Sequence, residues 1–200
     1  MSAATTPETD GRTARRDRNR TVVLDAALSL FTEDNLFPTP EQVAQRSGVS
    51  LRSVYRYFAD REELVRAAID RHLERNEHLF GIPGGTDGTL DARVERYVDA
   101  RLRLHDAIGA TVRAARLRAP TSEPIRAQLA TGRRLLREQL EAHFAADLDA
   151  LAARDRLDAL DAADALTQPE ALDHLRHGLG RSAPATRRML RLAFTRLLSP

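Results

Sequence analysis

Cysteine is missing from all 200 residues, so disulfides, thiolate metal sites and cysteine nucleophiles are excluded, which fits a reducing cytoplasm. Lysine is missing too, so that all 31 strongly basic residues are arginine. With the abundant alanine, that bias fits a GC-rich coding sequence before it fits any function. Long apolar runs are also absent: no segment approaches the roughly 20 residues of a membrane span, and no apolar stretch near the N-terminus resembles a signal peptide. The expectation is a soluble, cytoplasmic protein with no membrane partner. Aromatic residues make up only 4% of the chain, too few for a large stacking cage around a flat cation. A strong charge imbalance is lacking as well, since the formal net charge is +2 and nonspecific attraction to nucleic acid would be modest.

What is present is helical periodicity from end to end, without strand-like alternation or internal repeats. Residues 1–11, "MSAATTPETDG", are small and polar and predict a disordered tail. Val23, Ala26, Ala27, Leu30 and Phe31 recur at helical spacing and predict a first helix from about Arg16 to Asp34. A basic arm from Arg12 to Arg20 leads into it, and the positive excess of the chain sits between residues 11 and 61. "LFPTPEQVAQRSG" then supplies a second start signal: Thr39 as N-cap, Pro40 at the first helical position, and Gln42 placed to reach back in a capping box. Gly48 ends that helix where a left-handed residue is needed, and Ser50 caps the next.

Two short helices joined by a tight turn make a helix-turn-helix. In the second, Val54 and Phe58 point inward with Val49, and Leu51, Arg52, Ser53, Arg56 and Tyr57 are left outward. A short arginine-bearing helix is ordinarily just a solvated face. Here the capping box, the glycine turn and the basic arm occur in the order a DNA-binding unit requires, so arginines for guanine edges and hydroxyls for phosphates become the stronger reading.

The stretch "TPEQVAQRSGVSLRSVYRYFADREELVRAA" resembles the N-terminal DNA-binding domain of the TetR family. Thr39, Val43, Ala44, Gly48, Val49, Ser50, Val54, Tyr55, Phe58 and Leu64 fall on the family pattern, which departs at Ser47, where alanine is common, and at Arg61, where lysine is usual. The resemblance implies an all-α protein with a DNA-binding domain at 12–60 and an effector-binding and dimerisation domain at 61–200. The residues expected at DNA are Arg16, Thr39, Ser50, Leu51, Arg52, Ser53, Tyr55, Arg56, Tyr57 and Arg61. The expected partners are double-stranded palindromic operator DNA, a second copy of the chain, and a small-molecule effector that releases a repressor from its operator. The alternative is an activator or architectural protein with the same helix-turn-helix and no effector.

Beyond the motif, a fourth helix runs from about Arg61 into the seventies, and "GIPGGTDG" marks a loop. A stripe from Leu90 to Leu117 predicts a helix broken near His105 to Gly109, and another long helix is expected from about Glu123 to Asp149. Thr167 and Glu170 read as a further capping box, and a last helix spans about Pro184 to Leu198. Tyr97, Arg101 and His105 recur at spacings of four and, with Ile108 and Phe144, are candidates for the effector site. Equally, Arg101 could pair with an acid and His105 could simply pack. The last helix is apolar on more than one side, so Met189, Leu192 and Phe194 are expected at a dimer interface, burial within one subunit being the alternative. No catalytic constellation is present: "GGTDG" lacks the Gly-Lys-Ser/Thr of a phosphate loop, and His174 and His177 have no clear third metal ligand. No cofactor, metal or enzymatic activity is expected.

Overall fold

A computed structural model describes residues 8–33, 35–36 and 38–199. Among these residues there are ten α-helices and no strand. The N-terminal group is α1 (Glu8–Thr32), α2 (Pro40–Ser47), α3 (Leu51–Tyr57) and α4 (Arg61–Arg75). A 3₁₀ turn and a glycine-rich loop lead to α5 (Leu90–Arg118), α6 (Glu123–His143) and the short α7 (Ala145–Asp149). Then follow α8 (Ala153–Thr167), α9 (Pro169–Asp173), a π-helical segment (His174–Gly178) and α10 (Ala183–Leu197). Among the described residues no helix is long and apolar enough to cross a membrane.

Two apolar cores organise these helices. The first gathers Val23, Ala27 and Phe31 of α1, Val43 of α2, Val54 and Phe58 around α3, and Leu64, Val65, Ala68 and Ile69 of α4. The second gathers Val94, Tyr97, Val98 and Leu102 of α5 with Leu140, Phe144 and Leu148, and closes with Leu160 of α8, Leu190 and Phe194 of the last helix, and Leu198 just beyond it. Helix α5 serves both, because its far end inserts Ala114 and Ala115 into the first core. At 1.5 Å per residue, this helix of 29 residues is about 43 Å long.

Several boundaries differ from the sequence expectations, each for a local reason. α1 starts at Glu8, inside the stretch expected to be a disordered tail, so the basic arm is a turn-by-turn extension of the first helix; residues 1–7 lie outside the described residues. α5 is continuous through 105–109. Gly109 there is not a breaker but a gap filled by the His105 ring, since a Cβ at Gly109 would stand 3.2 Å from His105 Cε1. The long helix expected to reach Asp149 instead breaks at Phe144, whose backbone leaves helical geometry (φ −113°, ψ 20°). Its ring is fully buried and packs edge-on to Tyr97 at 5.3 Å and to His143 at 4.7 Å. Thr167 caps nothing: it is the last residue of α8 and its hydroxyl donates back to the Ala163 carbonyl at 3.1 Å.

Candidate nucleic-acid interface and ligand cavity

The helix-turn-helix is assembled by reciprocal local bonds. Thr39 Oγ1 accepts from Gln42 N at 3.3 Å, and Gln42 Oε1 accepts from Thr39 N at 2.8 Å, which completes the capping box of α2. Gly48 follows at φ 68°, the left-handed conformation that L side chains resist. Ser47 is not idle in the turn, because its hydroxyl donates to Ala44 O and accepts from Val49 N, both at 3.2 Å. Ser50 then caps α3 by accepting from Ser53 N at 3.3 Å. Paired hydrogen bonds of 2.6 Å from Arg46 to the Glu33 carboxylate lock α2 against the end of α1.

This scaffold leaves one face of α3 open. Arg52, Tyr55 and Arg56 are exposed, with Leu51 and Ser53 half-buried at its edge, and Arg16 is exposed on α1. Thr39 is half-buried and Ser50 exposed at the two helix starts. Tyr57 departs from the outward placement expected of it and is only 8% exposed. The ring lies against α1, whose Asn19 hydrogen-bonds the phenol, and Arg56 Nη2 donates to its hydroxyl at 3.3 Å. Burial works to raise the Tyr57 phenol pKa, yet hydrogen bonds from Arg56 and Asn19 and the charges of Arg56 and Arg16 outweigh it and hold the pKa below its usual value. Arg61, also expected at DNA, is half-buried and donates through Nε to the Pro38 carbonyl at 3.0 Å, bracing the α1–α2 connection.

A second brace on that connection comes from far along the chain. Arg118, the last residue of α5, is 8% exposed and donates through Nη1 to the Leu36 carbonyl at 2.8 Å. Burial, followed by the nearby charge of Arg61, pushes its pKa down to about 10. The sequence carries no signal for this contact, which joins residues 82 apart.

Between the two cores lies a cavity of about 100 Å³. Leu104 and Ile108 of α5 face it, with Ile69 and Leu73 of α4, Leu129 and Leu136 of α6, and Leu172 of α9 completing an aliphatic wall. Of the five candidates, Arg101, His105 and Ile108 line this space. Tyr97 and Phe144 do not: both are buried in the second core, where Tyr97 stacks beside Phe194 with ring centroids 5.2 Å apart and its hydroxyl lies 3.4 Å from Thr167 Oγ1. Arg116, Arg133, Gln168 and Glu170 line the cavity and were missed. Arg116 continues the face of Arg101 and His105 along α5, a signal hidden by expecting that helix to break. His105 Nε2 sits 3.7 Å from Asp173 Oδ1, but burial outweighs this and lowers the imidazole pKa.

The last helix also divides its candidates. Phe194 is fully buried within the single chain, so it belongs to the second core rather than to an interface. Its ring is needed to fill the space against Tyr97 and Phe144. Met189 is half-buried against the same core, and Leu192 is 63% exposed.

The structure thus sets a helix-turn-helix with a basic, solvent-facing second helix on a larger all-helical body, the architecture of a DNA-binding module. The profile of the bacterial regulatory proteins of the tetR family matches residues 23–68, which run from the buried face of α1 through α4, so the likeness to that family rests on this segment. The chain is also similar to the HTH-type transcriptional repressor LfrR of Mycolicibacterium smegmatis, with 32% identity over 90 residues. That alignment covers 44% of this chain and 47% of the relative, so the chain spans about half the length of the curated protein it matches.

Proposed function

We propose that the protein is a cytoplasmic transcriptional repressor that binds palindromic operator DNA as a homodimer and is released by a small-molecule effector. The observation that carries this reading is the double membership of α4. Leu64, Val65, Ala68 and Ile69 pack into the core that holds the helix-turn-helix, and Ile69 and Leu73 line the cavity. A ligand that fills the cavity therefore displaces a helix that packs along α1 in the same core as α3, and the shift reaches α3 through α1. In a dimer, that displacement changes the separation of two recognition helices and spoils their fit to successive major grooves about 34 to 36 Å apart.

Repression as the sign of regulation follows the relative, which is itself a transcriptional repressor. Dimerisation is supported by α8 and α10, which pack together and leave Leu157 (54%) and Leu192 (63%) exposed. The same contact surface would bring two DNA-binding domains to one palindrome.

Selection of bound sequences from a random DNA pool, with sedimentation of the free and bound protein, tests this. A palindromic consensus held by a dimer is expected. Arg52→Ala should relax preference at one base position per half-site and cost about 1–3 kcal/mol of specific binding. A monomer at micromolar concentration that binds one half-site as tightly as the palindrome would overturn the reading.

A further inference from the structure

The cavity wall includes a cation for which the described residues supply no anion. Arg101 is 2% exposed and lines the cavity. Its Nη2 donates to Gln139 Oε1 at 2.5 Å, and its guanidinium lies 4.7 Å from the centre of the Tyr97 ring. Nε and Nη1 are shut off from solvent and have no acceptor. Its partners among the described residues are thus an amide and an aromatic face, neither of which neutralises it. Stripping a guanidinium of water without a counter-charge is costly, and the arrival of an anion offsets that cost.

The rest of the lining has the same sign. Arg116 and Arg133 add positive charge, against which Glu170 is the one carboxylate among the lining residues, with Asp173 behind the wall pairing to Arg116 at 3.3 Å. Glu170 is already engaged, by Arg116 at 3.1 Å and Arg133 at 2.5 Å, and so leaves Arg101 uncompensated. It also repels a second negative group on any ligand. Burial keeps His105 toward its neutral form, so the imidazole neither adds to nor cancels this balance. Between the charges the wall is aliphatic.

We propose that the cavity takes an apolar monocarboxylic acid, its carboxylate drawn to the uncompensated Arg101 side chain and its hydrocarbon part along α5 past Ile108; this rests on reading the cavity as the effector site. Nothing covalent happens to the ligand. The recognition is charge-assisted hydrogen bonding at one end and apolar burial along the remainder.

The test is titration calorimetry of the full-length protein with octanoate, 2-naphthoate, octanol and octylamine. At least one of the two acids should bind saturably, octanol should bind on the order of 10-fold to 100-fold more weakly than octanoate, and octylamine should not bind. Arg101→Gln, checked for retained helicity by circular dichroism, should lower acid affinity to that of the alcohol and leave alcohol binding unchanged. Octylamine or octanol binding as tightly as the acids, no saturable binding of either acid, or an acid preference that survives Arg101→Gln would overturn the proposal. If Arg101→Gln fails to fold, the ranking of the four probes on wild-type protein decides alone. The two readings fail separately when DNA is present. An acid that binds as expected yet leaves the complex with a selected operator intact sinks the effector reading, whereas an amine that binds and releases DNA keeps that reading and sinks the acid.

Discussion

The two ends of α5 enter cores of different construction. At its C-terminal end, Ala114 and Ala115 join a core whose other members come almost wholly from residues 23–69, close in sequence and punctuated by caps. At its N-terminal end, Tyr97 packs against Phe144 and Phe194, which lie 47 and 97 residues further along the chain. The first core is built from local rules and the second from long-range complementarity. The cavity lies where the two meet, which is why α4 and α5 both line it.

The sharpest way to break the comparison is inside α10, where two residues two apart point to opposite environments. Phe194 is fully buried and Leu192 is 63% exposed. Phe194→Ala should cost about 3–5 kcal/mol, a large share of the roughly 5–15 kcal/mol that holds a domain together. Leu192→Ala should change the stability of the chain by no more than about 0.5 kcal/mol, while weakening any dimer that uses this face. Denaturant melts report the first effect and sedimentation at falling concentration the second. Equal losses of stability in the two variants would mean that Leu192 is covered in the folded protein and that the second core extends around the helix.

Arg118 probes the bridge between the cores. Arg118→Met keeps much of the apolar stem and removes the donor to the Leu36 carbonyl. A fully buried acceptor left without a donor costs about 1–3 kcal/mol, and the half-buried Leu36 carbonyl falls at the low end, about 1 kcal/mol. The loss should be local. Amide exchange in the connection between α1 and α2 should accelerate, and the amides of the second core should keep their protection. Faster exchange throughout the second core would show that the braces do not separate the two regions.

What could be read in advance follows the same division. Thr39, Gln42, Gly48 and Ser50 act within a few residues of themselves, so the capping box, the turn and the start of α3 are visible as spacing alone. The exposed face of Arg52, Tyr55 and Arg56 follows from the register those caps impose, Tyr55 being carried by the family pattern. Tyr57 was misplaced because periodicity does not say that α1 passes close enough to cover it. In the second core, helical stripes correctly mark apolar positions such as Leu190 and Phe194, but a stripe cannot say whether its partner is the same chain or another. His105 and Gly109 look like a helix break in sequence and are a ring packed into a glycine gap in three dimensions. Arg101 is legible as a candidate by its spacing from Tyr97 and His105, whereas its lack of a carboxylate is a property of every described neighbour at once.

The smallest expected effect concerns pH and separates the regions by titration. Burial lowers the pKa of two histidines, His105 at the cavity and His143 in the second core, from the ordinary 6.5, against the opposing pull of Asp173 and Asp106 on the first and of the Arg93 carbonyl on the second. Arg113 and Arg176 beside His105, and Arg96, Arg93 and Arg101 beside His143, push in the same direction as burial. Below pH 6.5 the unfolded chain takes up protons at these two sites before the folded chain does, so the stability they contribute is complete above that pH and is lost as pH falls toward their folded values. The first core contains neither residue. The melting temperature should therefore decline from pH 7.5 to pH 5.5, and His105→Gln should flatten part of that decline, with the neutral amide standing in for the neutral ring. An unchanged slope in His105→Gln would assign the whole effect to His143 or to groups outside the second core, and a steeper one would show that His105 is charged in the folded protein and held by Asp173.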